Sequence, residues 1–273
     1  MWHILTRKLI ALDLDGTTLN SHAELSPKTI TTIRAAIKAG HIVSIVTGRP
    51  NRLSQTYYDR LGLTSPMINF NGSLGHVPHR HWAREYQYTF DREIVLDVLN
   101  HQHDFQIQMV AAEGKHLFLA HQTAPTQVGF FPAVLTADEQ LTASSLNQDP
   151  TSMTIAVARS SQKKLQNYIE QSFGSAVDVA PWGGPNSVLE VGAKGVQKAV
   201  GLKRLASFYH VERQNVIAFG DEHNDNEMIA YAGQGVAMQN ATVHLKAIAD
   251  DVTRLDNDHD GLADYLSRTL KLA

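Results

Sequence analysis

The sequence predicts an α/β protein in which a core built on a parallel sheet carries an inserted α+β domain. Three observations support this fold class. At both ends of the chain, short apolar runs alternate with amphipathic helical patterns, which is the order of parallel strands joined by crossover helices. In the middle, strand-like runs follow one another around a hairpin-like turn at residues 113–115. The length of 273 residues is enough for two modest domains.

The N-terminal part of the core is predicted from apolar runs and from residues typical of helix boundaries. Buried strands are predicted over 9–14, 41–46 and 67–70, with helices over 28–39 and 50–61. Ser26 followed by Pro27 is a typical helix start, and Gly40 is typical of the position after a helix end. Strands that alternate with helices in this order are expected to lie parallel.

The middle segment has a different pattern from the two ends. Strands are predicted over 105–110, 116–120, 153–158, 176–180 and 188–191, with one helix over 161–173. After Gly195 the alternation returns, with helices predicted over 196–209, 225–232 and 262–270 and strands over 216–219 and 235–238. We assign residues 1–82 and 188–273 to the core and residues 83–187 to the inserted domain. We expect a ligand at the carboxyl ends of the parallel strands, under the insert.

The composition excludes several classes of function. The chain has no cysteine, so disulfides, zinc–thiolate sites and cysteine nucleophiles are excluded. The net charge of −3 gives no basic surplus for nucleic acid. No apolar stretch approaches the ~20 residues of a membrane helix, and the N-terminus has no recognisable signal peptide. We therefore expect a cytoplasmic protein without a nucleic-acid or membrane partner and with no protein partner implied.

The strongest motif is the segment LDLDGTTL at residues 12–19. A buried strand ends there in two carboxylates, Asp13 and Asp15, and Gly16 follows them. Two like charges at a strand end are unfavourable unless a cation lies between them, and carboxylate oxygens are the ligands that Mg²⁺ prefers. Gly16 lets the chain turn sharply and bring backbone N–H groups near a phosphate. The alternative interpretation is an ordinary acidic turn after a strand.

Three further motifs are ambiguous when each is taken alone. Thr47 and Gly48 follow the second strand, where a hydroxyl could donate to a phosphate, although a plain strand-to-helix turn has the same composition. Asp221 ends a later strand, and Asp225 is either part of the same site or the cap of a helix. Lys198 begins a helix, where a solvated lysine is common. It gains a role only as the positive charge that a carboxylate beside a phosphate needs.

Together and in this order, the motifs resemble those of the haloacid dehalogenase superfamily. Within that superfamily the chain is similar to the Cof-type phosphatases, which carry a large α/β cap of the C2B type. The resemblance covers nearly the whole chain and implies a Rossmann-like core with a parallel sheet. The one departure in the motifs is Ala199, since glycine usually follows the lysine that Lys198 matches.

The resemblance also implies a role for each matching residue. Asp13 matches the nucleophile, and Asp15 matches the general acid/base. The metal-binding residues would be Asp13, Asp15 through its backbone carbonyl, and Asp221. The phosphate-binding residues would be Thr47, Gly48 and Lys198. The supporting residues would be Asn224 and Asp225, and the residues on the substrate side would be Gly16, Asn71 and Gly72.

These roles imply a Mg²⁺-dependent phosphoric monoester hydrolase that forms an aspartyl-phosphate. Sugar phosphates, nucleotides and phosphorylated cofactors such as pyridoxal phosphate all fit as small-molecule substrates. A phosphotransferase or sugar-phosphate mutase on the same scaffold stays open, because the same residues would serve those reactions. A non-catalytic regulatory protein is disfavoured, since every motif position is filled.

Two features are left without an assigned role. His76, His79 and His81 cluster in the sequence, but no carboxylate or cysteine spacing completes a zinc site, so solvated histidines are the favoured interpretation. The segment 181–186 is either a loop that reaches the substrate or a surface excursion.

Overall fold

The computed structural model describes residues 7–125, 130–182 and 186–272. The helices are α1 Pro27–Lys38, α2 Asn51–Leu61, α3 Arg92–Asn100, α4 Gln162–Phe173, α5 Lys198–Tyr209, α6 Asn226–Tyr231, α7 Val243–Ile248 and α8 Gly261–Leu270. The strands are β1 Leu9–Leu12, β2 Ile42–Ile45, β3 Met67–Asn69, β4 Leu74–His76, β5 Tyr86–Gln87, β6 Ile107–Glu113, β7 Phe118–Ala120, β8 Ser152–Val157, β9 Val177–Pro181, β10 Val188–Ala193, β11 Val216–Gly220, β12 Gln234–Ala237 and β13 Asp251–Val252. The chain divides into two compact units, Met1–Tyr86 with Gln197–Ala273, and Gln87–Val196.

The first unit is built on a five-stranded parallel sheet in the order β13-β12-β11-β1-β2. Leu12 at the end of β1 lies opposite Phe219 of β11 on one side and Ile45 of β2 on the other. Every residue of β1, β2 and β11 is buried, which explains why these strands are nearly continuous apolar runs in the sequence. The predicted α/β fold with a parallel sheet is confirmed, and the carboxyl ends of these three strands meet at one edge.

The helices beside this sheet begin and end where the local chemistry favours it. At the start of α1, the Ser26 hydroxyl accepts a hydrogen bond from the Thr29 backbone N–H at 3.0 Å, and Pro27 occupies the first helical position. Gly62 ends α2 with a left-handed φ of 72°, a conformation that glycine adopts without strain. A separate three-stranded sheet has the order β3-β4-β5.

The second unit contains an antiparallel five-stranded sheet in the order β7-β6-β8-β10-β9. Residues that alternate along β6 face two different environments. Val110 and Ala112 pack in a large apolar cluster with side chains of α3 and α4. Met109 and Ala111 belong to a smaller cluster on the other face, which includes aromatic side chains outside the helices. The predicted α+β character of the insert is therefore present.

The second unit begins and ends later than the sequence assignment of 83–187. The predicted boundary at residue 188 assigns β10 to the core. In the structure β10 pairs with β8 and β9, so the second unit extends to Val196. An apolar run of this kind has the same pattern in either sheet, so its sequence does not indicate to which sheet it belongs. The sequence pattern also does not predict helices α3 and α7 or strands β4, β5 and β13.

Some expectations cannot be compared with the described residues. The N-terminal residues 1–6 and residues 183–185 of the 181–186 loop lie outside them. Within the part of the chain that is described, no helix combines the length and the apolar character needed to cross a membrane.

His76 is buried and contacts the Asn69 side chain at 2.9 Å, and His79 pairs with Asp59 at 2.8 Å, so these two histidines have partners other than a metal.

Candidate active site

Two acidic residues and a threonine follow neighbouring strands of the core sheet. Asp13 comes directly after β1, and its backbone N–H donates to the Phe219 carbonyl at 3.2 Å. Asp221 comes directly after β11, and Thr47 lies just beyond β2. Because β1 lies between β11 and β2, the sheet itself brings these three residues to one edge.

A buried lysine connects the acidic residues. Lys198 is the first residue of α5, and only 1% of its side chain is exposed. Its Nζ lies 2.7 Å from Asp13 Oδ1 and 2.7 Å from Asp225 Oδ1. Burying an ammonium without a partner is very costly, whereas two carboxylates at hydrogen-bond distance compensate it. The alternative interpretation of Lys198 as a solvated helix residue is therefore wrong.

Asp225 organises the loop after β11 and does not cap α6. Its Oδ2 accepts hydrogen bonds from the backbone N–H groups of Asp221 at 3.0 Å and Glu222 at 3.2 Å. Its side chain makes no capping hydrogen bond to α6. The completely buried carboxylate thus holds Lys198 with one oxygen and the backbone beside Asp221 with the other.

The turn after β1 packs directly against Asp221. Gly16 has a φ of 65°, and a Cβ added there would lie 2.1 Å from Asp221 Oδ2. Any other residue would therefore collide with that carboxylate and also strain the backbone. The next residue, Thr17, donates from its hydroxyl to Asp221 Oδ1 at 3.0 Å. The glycine of the first motif is thus required for the two acidic segments to meet.

The side chain of Asp15 points to a different partner. It is 51% exposed and lies outside the group formed by the other carboxylates. Arg49 holds it with two donors, Nε to Oδ2 at 2.8 Å and Nη2 to Oδ1 at 2.5 Å. Sequence reasoning missed Arg49, although it directly follows Thr47 and Gly48 in the second motif.

The second motif and the loop after β3 are joined by hydrogen bonds. The buried Thr47 accepts from the backbone N–H of Arg49 with its hydroxyl, at 3.1 Å, and from that of Asn71 with its carbonyl, also at 3.1 Å. Asn224 donates from its side chain to Asn71 Oδ1 at 3.0 Å. A Cβ on Gly48 would lie 3.0 Å from that same Asn71 oxygen. Asn71 thus links the second motif to the loop after β11.

Gly72 places this loop against the start of α5. Its φ is 108°, and a Cβ there would lie 2.4 Å from the backbone carbonyl oxygen of Gln197, the residue before Lys198. A side chain at this position would push the loop away from the helix that carries the lysine. All the site residues predicted from the sequence therefore belong to one connected region of the first unit. Within it, the Asp15 side chain contacts Arg49, whereas the Asp221 side chain contacts Thr17.

The electrostatics of the site favour an added cation. Burial raises the pKa of Asp13 well above its usual value, against the opposing effect of Lys198. Burial, followed by the charge of Asp225, raises the pKa of Asp221 to about 7. For Lys198, burial lowers the pKa, but the charges of Asp13 and Asp225 outweigh it and raise the pKa overall. One lysine thus does not neutralise the acidic side chains around it.

A divalent metal ion fits this donor set. Asp13, Asp221 and Asp225 each offer a carboxylate oxygen, and these oxygens lie within 4.8 Å of one another. With Lys198, the ionised group carries a net charge of −2, which an ion such as Mg²⁺ balances. Both oxygens of Asp225 already accept hydrogen bonds, from Lys198 and from two backbone N–H groups. Asp13 and Asp221 are therefore the residues whose carboxylates are better placed to bind the metal.

Comparisons with known proteins agree with this geometry. A family model described as haloacid dehalogenase-like hydrolase matches residues 10–266. The 5-amino-6-(5-phospho-D-ribitylamino)uracil phosphatase YitU of Bacillus subtilis is 34% identical over 275 residues, covering 97% of this chain and 98% of that protein. The pyridoxal phosphate phosphatase YbhA of Escherichia coli is 28% identical over 280 residues, covering 96% and 98%. A solved haloacid dehalogenase-like hydrolase from Bacteroides thetaiotaomicron has a TM-score of 0.82 at 24% identity, covering 97% of this chain and all of that one.

The chain belongs to the haloacid dehalogenase-like hydrolase family. It is an enzyme of the phosphoric monoester hydrolase class, since the two relatives named above, each matched over nearly its whole length, are phosphatases.

The raised pKa of Asp221 predicts that Asp221→Asn stabilises the metal-free protein at neutral pH. The carboxyl has a pKa of about 7 in the folded state and about 3.9 in the unfolded state. Its contribution to the free energy of unfolding is therefore fully present only below pH ~3.9. That contribution is lost as pH rises through 7. The neutral amide avoids the loss, so the variant should gain up to ~4 kcal/mol in unfolding free energy at pH 8 in chelator, and progressively less toward pH 4.

Denaturant unfolding of both proteins at pH 4, 6 and 8 measures this difference. Excess Mg²⁺ at pH 8 should then stabilise the wild type much more than the variant, because only the wild type keeps the full ligand set. A variant that is less stable than the wild type at every pH would contradict the assignment of uncompensated charge to Asp221.

Proposed function

We propose that this enzyme hydrolyses a small phosphorylated metabolite with Mg²⁺, through a covalent aspartyl-phosphate on Asp13. The observation that carries the proposal is the contact of the buried Asp13 carboxylate with Lys198, at the edge of the sheet where Asp221 also lies. A carboxylate can attack a phosphate dianion only where positive charge offsets their repulsion. Lys198 is a fixed positive charge of this kind, at 2.7 Å.

The reaction takes place in two displacements at phosphorus. In the first, an Asp13 oxygen forms a bond to phosphorus while the ester P–O bond breaks, and Asp15 gives its proton to the leaving oxygen. In the second, Asp15 takes a proton from a water molecule whose oxygen attacks phosphorus, and the Asp13 O–P bond breaks. Inorganic phosphate and free Asp13 are the products, and Asp15 is again protonated.

Neighbouring groups orient and stabilise the transferring phosphoryl group. The Thr47 hydroxyl accepts from the Arg49 backbone N–H, which leaves its own hydrogen to donate to a phosphate oxygen. Asp225 keeps Lys198 in place through its 2.7 Å contact. Asp13 and Asp221, with the backbone carbonyl of Asp15, would hold Mg²⁺, which when bound supplies positive charge to the phosphate oxygens.

The relatives support a small-molecule substrate without identifying it. The two named above act on different phosphorylated metabolites, a ribitylaminouracil phosphate and pyridoxal phosphate. We therefore keep sugar phosphates, nucleotides and phosphorylated cofactors as candidate substrates. All residues proposed for chemistry lie in the first unit, so we propose that the second unit selects the leaving group. A cytoplasmic location stays a prediction.

Asp13→Asn is expected to abolish turnover while the protein stays folded, because an amide cannot act as the nucleophile. The loss should be at least ~10³-fold in the release of inorganic phosphate from the best substrate of a metabolite panel. Asp104→Asn makes the same chemical change at an exposed position of the second unit and serves as the matched control. Activity of Asp13→Asn within tenfold of wild type would contradict the mechanism, and transfer of phosphate to an organic acceptor without release would favour a phosphotransferase.

Removal of Mg²⁺ should lower activity by ~10²-fold or more, because a bound metal contributes several kcal/mol of charge stabilisation. Restoring Mg²⁺ should recover the activity, whereas Ca²⁺ should recover little, since it prefers more ligands at longer distances. The measurement is phosphate release after chelation and after return of each ion. Full activity in excess chelator would show that the carboxylate group is not a functional metal site.

A further inference from the structure

Arg49, which the proposed mechanism leaves without a role, makes a two-donor contact with Asp15. Its guanidinium binds both oxygens of Asp15, through Nε at 2.8 Å and Nη2 at 2.5 Å. The Asp15 side chain is 51% exposed, whereas the Arg49 side chain is 9% exposed. The arginine is thus the largely enclosed partner, and the aspartate is the part of the pair that is open to solvent.

The backbone of Arg49 is held on both sides. Its N–H donates to the Thr47 hydroxyl at 3.1 Å, and its carbonyl accepts from the side-chain amide of Asn69 at 2.8 Å. Asn69 is completely buried and also donates to Ser54 at 2.8 Å, while its oxygen contacts His76. A buried polar group whose partners are all buried has few alternative positions. The backbone of Arg49 is therefore held in one position.

The guanidinium is held as well. The Tyr57 ring lies against it, with 5.4 Å between Arg49 Cζ and the ring centroid. Arg49 Nη1 lies 3.4 Å from the Tyr57 hydroxyl, which itself donates to the Ala23 carbonyl at 2.9 Å. A planar guanidinium can stack on the ring and bind a carboxylate with two parallel N–H groups at the same time. A lysine ammonium has no such fork.

We propose that Arg49 is a positioning residue that fixes the Asp15 carboxylate for proton transfer, with Tyr57 and Asn69 as its supports. This inference rests on the proposed function, in which Asp15 gives a proton to the leaving oxygen and takes one from water. A carboxylate on an exposed turn has several rotamers, and only those that face the reacting oxygens are useful. The fork selects among them. Arg49 therefore acts through Asp15, and not as a charge on the phosphate.

A double-mutant cycle tests this role. Arg49→Met keeps an unbranched apolar side chain against Tyr57 and removes the fork. We expect it to lower kcat for an alkyl phosphate substrate by ~10–100-fold, part of the ~10²–10⁴-fold that general acid–base catalysis contributes, with KM changed by less than ~3-fold. In an Asp15→Asn background, the same change should lower kcat by less than ~3-fold, because the residue through which Arg49 acts is already disabled.

Arg49→Lys separates the fork from the charge. It should restore less than a tenth of the lost kcat, since an ammonium cannot bind the carboxylate with two parallel N–H groups. Arg60→Met removes a positive charge from an exposed position of α2, the helix that follows Arg49, and is the matched control, expected to stay within ~2-fold of wild type. Thermal unfolding midpoints of all variants show that each one is folded when it is assayed.

Two results would overturn the inference. One is a loss of kcat from Arg49→Met that is equally large in the wild-type background and in the Asp15→Asn background. The other is recovery of wild-type kcat by Arg49→Lys, which would assign Arg49 the role of a charge on the phosphate. Failure of the proposed function is distinguishable from both, because it would appear in the wild type itself as the absence of phosphate release.

Discussion

The interaction on which the rest of the site depends is the burial of the Lys198 ammonium between the Asp13 and Asp225 carboxylates. Lys198 is 1% exposed, Asp13 is 5% exposed and Asp225 is fully buried. Removing one partner of such a group would leave an uncompensated buried charge, at a cost of about 3–5 kcal/mol. The end of β1, the start of α5 and the loop after β11 must therefore assemble together. The close approaches at Gly16 and Gly72 follow from this requirement.

The same constraint explains why the site is suited to ligands. Burial raises the pKa values of Asp13 and Asp221, and the single charge of Lys198, which is shared between Asp13 and Asp225, does not reverse this effect. Perturbed carboxyls of this kind are typical of functional sites, where stability is given up for chemistry. Electrostatic stabilisation of the site is greatest when a cation and a phosphoryl group bind together, because each one offsets the charge of the other.

Much of the fold and site could be predicted because parallel strands are buried on both faces. The apolar runs ending at Asp13 and Asp221 are recognisable for that reason, and the sheet then brings their ends together. The boundary of the second unit could not be placed from the sequence, because the apolar strand β10 would suit either sheet. The pairing of Arg49 with Asp15 could not be predicted either, since it depends on how the turn after β1 faces the segment before α2.

The most direct measurement of the central claim is the identification of the residue that carries phosphate during turnover. Rapid acid quench of the enzyme with an activated aryl phosphate, followed by peptide mass analysis, locates the covalent phosphoryl group. Asp15→Asn should increase its amount, because the second displacement lacks its general base. The account predicts one phosphoryl group on the peptide that contains Asp13, at a site that Asp13→Asn removes. Phosphate on another residue, or turnover with no phosphorylated peptide in either protein, would contradict it.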